Sequence, residues 1–272
     1  MDEAATPANA GEVEVGSRAR RTRPARRPSV VGVLGEILIT LGVVTLLFVA
    51  WQLWIGDVIY GAERSAQADE QSDIWQEQYE EQLEASPEAT PDATEAPAPT
   101  EVTAEPVILP QPADAEIFAT MSIPRFGSDY HVNIAGGVTR ANTLDPIGIG
   151  HYPGTQMPGE IGNFALAAHR TTWGKPFNRI ADLHVGDAIV VETPDGWYTY
   201  RFRTLEYVQP SAVEVILPVP QAPDVEANGR YITMTSCSPM YSLAERIVAY
   251  GLFESFTPRS AGAPASLTGG VA

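Results

Sequence analysis

Two hydrophobic patterns divide this chain. From Val30 to Trp54 apolar residues dominate, and the polar interruptions are Glu36, Thr40, Thr45 and Gln52. A bilayer core takes about 20 apolar residues as a helix, and residues 37–56 alone supply that length. Beyond residue 107 the pattern changes to short runs. Residues 188–193, the turn Pro194-Asp195-Gly196 and the alternating stretch 197–205 predict a β-hairpin. Residues 163–168, 230–236 and 246–253 also read as strands. Short strands separated by Gly/Pro turns, with few helical periods, predict a mainly β domain over 107–257, closed or nearly closed into a barrel.

The flanks of the apolar run set its meaning. Arg18, Arg20, Arg21, Arg23, Arg26 and Arg27 precede it, and Trp51, Trp54 and Tyr60 suit an aromatic belt at the far interface. The arginines keep the N-terminus inside, so residues 1–29 are expected as a cytoplasmic basic tail and 30–56 as a transmembrane helix. Everything after the helix is then exported. Bulky Trp51, Gln52, Leu53 and Trp54 stand where a cleaved signal peptide would show small residues, so a retained single-pass anchor is the expectation.

Charge refines the division. The formal net charge is −17, and residues 62–106 hold thirteen acidic side chains against Arg64 alone. Together with the Pro/Ala/Thr/Glu run over 85–100, this predicts a disordered acidic linker spanning 57–106. Residues 62–106 would reach about 37 Å as a coil and act as a tether. One short helix around Ile74, Trp75, Tyr79 and Leu83 is the only element expected in it. Residues 258–272, rich in Ala, Gly, Pro and Ser, read as a disordered tail. The β domain is itself acidic with dispersed basic residues, which argues against nucleic acid as a partner.

The chemistry centres on Cys237, the only cysteine. It ends the strand-like run 231–236, and Arg246 follows nine residues later. A single thiol forms neither an internal disulfide nor a Cys-rich zinc site. It is either a nucleophile or a small buried hydrophobe. Antiparallel pairing of 230–236 with 246–253 about residue 241 or 242 would set Cys237 opposite Arg246, about 5 Å apart at Cβ. The alternative for Arg246 is a local pair with Glu245. His131, His151, His169 and His184 are the candidate bases. His169 closes an apolar run and opens into the polar loop 170–174, where functional side chains concentrate. His151 lies in a turn-rich segment, and His131 and His184 read as edge or surface residues. No histidine pair has ligand spacing, so no metal site and no cofactor is expected.

These residues also resemble a family. Thr233-Met234-Thr235-Ser236-Cys237 is similar to the T-L-x-T-C signature of sortases, with Arg246 at a sortase-like distance. The segment 163–170 looks like the strand carrying that family's histidine. Gly150-His151-Tyr152-Pro153-Gly154-Thr155, with Pro158-Gly159 and Gly162-Asn163, resembles the stretch ahead of it. Ile123-Pro124 resembles the entry to the family's first barrel strand. The likeness covers residues 115 to 255, and the His-Tyr pair with the short Cys-to-Arg loop points to class E. Met234 stands for the usual Leu and Ser236 for the usual Thr.

The resemblance implies a sortase-type closed β-barrel with short helices and a cysteine transpeptidase. Catalytic Cys237, His169 and Arg246 would cleave an LPxTG- or LAxTG-like signal between Thr and Gly. Tyr152, Thr235 and Ser236 would line the substrate groove. Implied partners are secreted proteins bearing the signal, a peptidoglycan precursor amine and the cell membrane.

Three rivals remain. An L,D-transpeptidase would show S-x-G-C-x-R, whereas Ser236 precedes Cys237 and Pro239 stands two beyond it. A pilin-polymerising sortase would often carry an Asp-Pro-[Trp/Phe] lid, which residues 62–122 lack. A tethered envelope-binding module would keep Cys237 as a structural residue.

Overall fold

The computed structural model describes residues 29–51, 56–85 and 104–268. The basic tail, the aromatic Trp54, the Pro-rich run 86–103 and residues 269–272 lie outside that set. The chain divides into a unit ending at Phe48 and a second unit from Val49 onward.

The first unit holds most of helix α1, Val30–Ala50. Its 21 residues rise about 31 Å at ~1.5 Å each, the thickness of a bilayer core. Its two threonines turn their hydroxyls inward. Thr40 donates to the Glu36 carbonyl and Thr45 to the Leu41 carbonyl, both at 2.8 Å. In a hydrocarbon surrounding a hydroxyl would have no other partner. The helix is long and apolar enough to cross a membrane.

The second unit opens with α2, Gly56–Ala85, a single 30-residue helix. This corrects the expectation that 57–106 forms a disordered linker: through residue 85 the segment is ordered and packed on the barrel. The short helix expected around Ile74 to Leu83 is the end of a much longer one. Its docking stripe is Arg64, Ala68 and Trp75, all buried, joined by half-buried Ser65 and Ser72. Those positions share one helical face, but only Ala68 and Trp75 of the five are apolar, so a hydrophobic pattern registers little of its periodicity. Polar contacts hold it. Ser65 donates to the Asp129 carbonyl at 2.8 Å, Ser72 to the Glu192 carboxylate at 2.9 Å, and the Asp69 carboxylate meets His131 Nδ1 at 2.7 Å. His131, expected at an edge, is thus part of a helix-to-barrel joint.

The barrel strands are β1 Ile117–Ser122, β2 His131–Gly136, β3 Ile149–His151, β4 Gly162–Ala168, β5 Ala188–Thr193, β6 Gly196–Val208, β7 Arg230–Ser238 and β8 Glu245–Pro258. They close in the order β1-β2-β3-β4-β7-β8-β6-β5. The predicted hairpin is β5–β6, with Thr193 opposite Gly196. The hydrophobic pattern does not reveal the three N-terminal strands. Ile123-Pro124 does not enter the first strand but leaves it: β1 precedes the pair, and Pro124 starts a 3-10 turn.

Two pairings are parallel, β2 with β3 and β4 with β7. β4 is buried along its whole length, as a strand packed on both faces must be. Phe164, Leu166, Ile232, Met234, Ile247 and Phe256 meet in the core. Asn163, fully buried, accepts from Thr233 at 2.8 Å and donates to the Val215 and Leu217 carbonyls. It pins the long β6–β7 crossover against the β4–β7 seam.

The segment after Pro258 is not a loose tail through residue 268. Arg259 is buried, donates to Glu192 at 2.9 Å, and lies 4.8 Å over the Trp197 ring. A short helix, α3 Ala265–Thr268, follows, with Leu267 against Ala188, Val190 and Trp197.

Candidate active site

Parallel pairing of β4 and β7 brings the C-terminal ends of both strands to one rim. Ala167 is level with Thr235, so His169, just past β4, and Cys237, near the end of β7, occupy corresponding positions. β8 runs back antiparallel from the same rim. Its register sets Cys237 directly opposite Arg246, which is the pairing the turn arithmetic predicts. No local connection joins His169 to either residue; the imidazole reaches the rim only through the β4–β7 seam.

A cleft of about 510 Å³ opens there. Cys237, His169, Arg246, Tyr152, Thr235 and Ser236 all line it. Every site residue expected from the sequence therefore faces one cavity. Cys237 is a free, half-buried thiol.

The surrounding bonds define what each group is free to do. His169 Nε2 lies 2.6 Å from the Asp145 carboxylate. An ionised carboxylate only accepts, so Nε2 carries a hydrogen, and in the neutral ring Nδ1 is the acceptor nitrogen. Arg246 Nη1 donates to the Leu243 carbonyl at 3.2 Å and to the Glu245 carbonyl at 2.9 Å. Those bonds hold the guanidinium over the β7–β8 loop without neutralising it.

Ser236 donates to the Ala168 carbonyl at 2.7 Å and Thr235 to the Leu166 carbonyl at 3.1 Å. Tyr152 Oη donates in turn to Thr235 Oγ1 at 3.0 Å. The two β7 hydroxyls thus tie β7 to β4, and Tyr152 is anchored to the seam beside the thiol.

Two residues at the site escape the sequence reading. Asp145 sits in the loop before β3, 24 positions from His169, with no spacing signal to join them. Arg170 is buried and its Nη1 donates to the Cys237 carbonyl at 3.3 Å, holding the nucleophile's backbone from the β4 side. The signal for Arg170 is its place beside His169, which reads as an ordinary loop charge.

The other histidines are elsewhere. His151 is buried, with Nε2 3.1 Å from the Gln156 carbonyl and 2.9 Å from Thr155 Oγ1. Burial pushes its pKa down to about 4. His184 stands in a turn, its backbone N–H donating to Asp187 at 2.7 Å. Among the described residues, no cluster of three His, Cys, Asp or Glu side chains is arranged to hold a metal ion.

Comparison with known proteins agrees with this geometry. Residues 121–254 match the family described as Sortase domain. The chain is 34% identical over 259 residues to Sortase SrtE1 of Streptomyces coelicolor, covering 92% of this chain and 65% of that protein. It thus spans about two thirds of that relative's length. It is 33% identical to Sortase SrtE2 of the same organism, covering 87% of each. Among solved structures, Sortase E1 from Streptomyces coelicolor with a tripeptide in its active site superposes with a TM-score of 0.53 at 38% identity. That match covers 57% of this chain and 99% of the solved one.

Proposed function

The chain belongs to the sortase family and stands with its class E, and from that premise we propose that it is a membrane-anchored cysteine transpeptidase. It cleaves an LPxTG- or LAxTG-like sorting signal between Thr and Gly and joins the Thr to an amine of a cell-wall precursor. The observation that carries the reading is the convergence of Cys237, His169 and Arg246 on one cleft, from three strands adjacent in the barrel.

In the first half-reaction Cys237 Sγ bonds to the Thr carbonyl carbon. The thiol proton passes to His169 Nδ1 and from there to the departing Gly nitrogen as the peptide bond breaks. The product is a thioester. In the second, the precursor amine attacks that carbonyl, His169 takes its proton, and the sulfur leaves. The Arg246 guanidinium faces the carbonyl oxygen across the ladder and stabilises the charge that collects there in both steps. Asp145 holds the imidazole by Nε2, which leaves Nδ1 as the nitrogen that exchanges the proton. Tyr152 borders the groove for the signal's second residue.

Helix α1 anchors the enzyme with its N-terminus in the cytoplasm, and the barrel works outside the membrane on secreted proteins that carry the signal. The test is a peptide panel varied at the second signal position, incubated with the protein and an amine acceptor and read by mass. A Thr-acyl product that forms with Cys237 intact and is absent with Cys237→Ala is expected. A protein that binds such peptides but never releases the Gly fragment would instead be a binding module.

A further inference from the structure

Arg64 is the feature of this molecule that the reaction does not explain. It lies on α2, far from Cys237 in sequence, yet it is only 5% exposed. Among the described residues, no carboxylate forms an ion pair with its guanidinium. It donates instead to three backbone carbonyls: Nε to Trp173 at 2.9 Å, Nη1 to Pro146 at 3.1 Å, and Nη2 to Asp145. Burial lowers its pKa, and the nearby Asp145 and Glu63 charges work against that shift. A buried charge is destabilising unless its hydrogen bonds are met, and an apolar side chain would dock a helix at lower cost.

The placement of the three acceptors points to what the charge does. Asp145 and Pro146 belong to the loop whose carboxylate holds His169. Trp173 belongs to the loop that leaves His169. The two segments meet on the guanidinium. Asp145 is the link, because its backbone oxygen accepts from Arg64 while its carboxylate meets His169 Nε2.

The backbone is shaped around the guanidinium on both sides. Gly174 has φ +75°, and a Cβ there would come 3.0 Å from Arg64 Cδ and Nε. At Gly148, φ +130°, a Cβ would come 2.8 Å from Val132 Cγ1 and 3.2 Å from Arg64 Nη1. Tyr60, one turn earlier on α2, packs its ring 5.7 Å from Trp173. The loop beyond Trp173 is tied back by the Phe177 N–H to the His169 carbonyl at 3.0 Å. Other polar contacts of α2, through Ser65, Asp69, Ser72 and Gln76, go to Asp129, His131, Glu192 and Arg259, away from the Asp145 and Trp173 loops.

We propose that Arg64 is a positioning residue for His169, by which α2 clamps the Asp145 and Trp173 loops and makes the juxtamembrane helix part of the catalytic unit. This rests on the role given to His169 above. A side chain held through a second residue loses its geometry when the holder goes, and a shift of about 1 Å at a reacting group lowers rate by up to ~100-fold.

The test uses the full chain in detergent with 15N-labelled histidine. Arg64→Ala is expected to lower kcat about 10- to 100-fold with KM changed less than about 2-fold, and to replace the single Nε2–H tautomer of His169 by a mixture. Arg64→Lys, whose ammonium cannot span three divergent carbonyls, recovers only part of the rate. Asp69→Ala loosens α2 at another point and leaves kcat within about 2-fold. An Arg64→Ala protein with normal kcat and an unmixed His169 tautomer overturns the proposal. So does a loss of kcat that follows the loss of melting temperature equally in Arg64→Ala and Asp69→Ala. If Arg64→Ala does not fold, Arg64→Lys takes its place: lowered kcat with a mixed tautomer supports the clamp, and normal kcat with a single tautomer overturns it. His169→Ala in the same assay separates the two readings: full turnover there defeats the role of His169, while the tautomer spectrum still judges the clamp.

Discussion

His151 ends β3 and His169 follows β4, and these two strands are hydrogen-bonded neighbours. The chemistry of the two rings is opposite. His151 is 1% exposed, sits 5.7 Å from the Phe118 ring and 5.2 Å from that of Phe164, and among the described residues its hydrogen-bond partners are a carbonyl and a hydroxyl. Burial disfavours a proton there, so the ring stays neutral far below the usual histidine range. His169 meets a carboxylate at an open rim beside the only thiol. The difference lies in direction along the barrel. β4 is antiparallel to β3 and parallel to β7, so its C-terminal end shares a rim with Cys237, while His151 at the end of β3 is level with Leu166 inside the wall. A histidine at the C-terminal end of a strand shares the nucleophile's rim here because β4 runs the same way as β7; on antiparallel β3 it is the first residue, Ile149, that lies level with Ala168.

The contrast can be broken at either side. Cys237→Ala should abolish turnover altogether, measured by release of the Gly-bearing fragment from a sorting-signal peptide. His169→Ala should lower kcat/KM by about 10³-fold, the range for loss of a general acid–base group; near-normal activity would mean that the base has been misassigned. Arg246→Ala should lower kcat by about 10²- to 10³-fold, as expected when an oxyanion donor goes. His151→Gln, by contrast, should leave kcat/KM within about 10-fold in the same peptide assay, and a loss as deep as that of His169→Ala would erase the distinction between the two rings.

The smallest effect sharpens the contrast through stability. Folding depresses the His151 pKa from 6.5 to about 4, so between those values the unfolded chain binds more protons than the folded one. Stability therefore rises with pH across that window, and acidifying from about pH 6.5 to about pH 4 removes up to ~3 kcal/mol. Denaturation curves at pH 7 and pH 4.5 should show that loss in the wild type and a smaller one in His151→Gln. Parallel behaviour of the two proteins would mean that the imidazole is not buried neutral.

Much of the site is legible from residue order. Cys237 and Arg246 flank one tight connection, so pairing arithmetic alone puts them face to face, and Ala165, Ala167 and Ala168 before His169 mark a strand buried on both faces. Asp145 and Arg64 are not legible, because each acts through a partner 24 or more positions away. The α2 segment misleads for a different reason: its acidic composition reads as disorder, and its docking face is held largely through Arg64, Ser65 and Ser72, whose polar bonds a hydrophobic period does not register.

Local patterning decided the membrane-length helix, the β character of the domain, the β5–β6 hairpin and the opposition of thiol to guanidinium. These depend on neighbours close in the chain, where side-chain period and turn chemistry dominate. Tertiary structure alone decided that β4 lies parallel to β7, that a carboxylate meets the imidazole, and that α2 reaches the loops behind it. Those outcomes depend on closing the barrel, a long-range event in which loop-closure entropy and burial select among pairings that are locally equivalent.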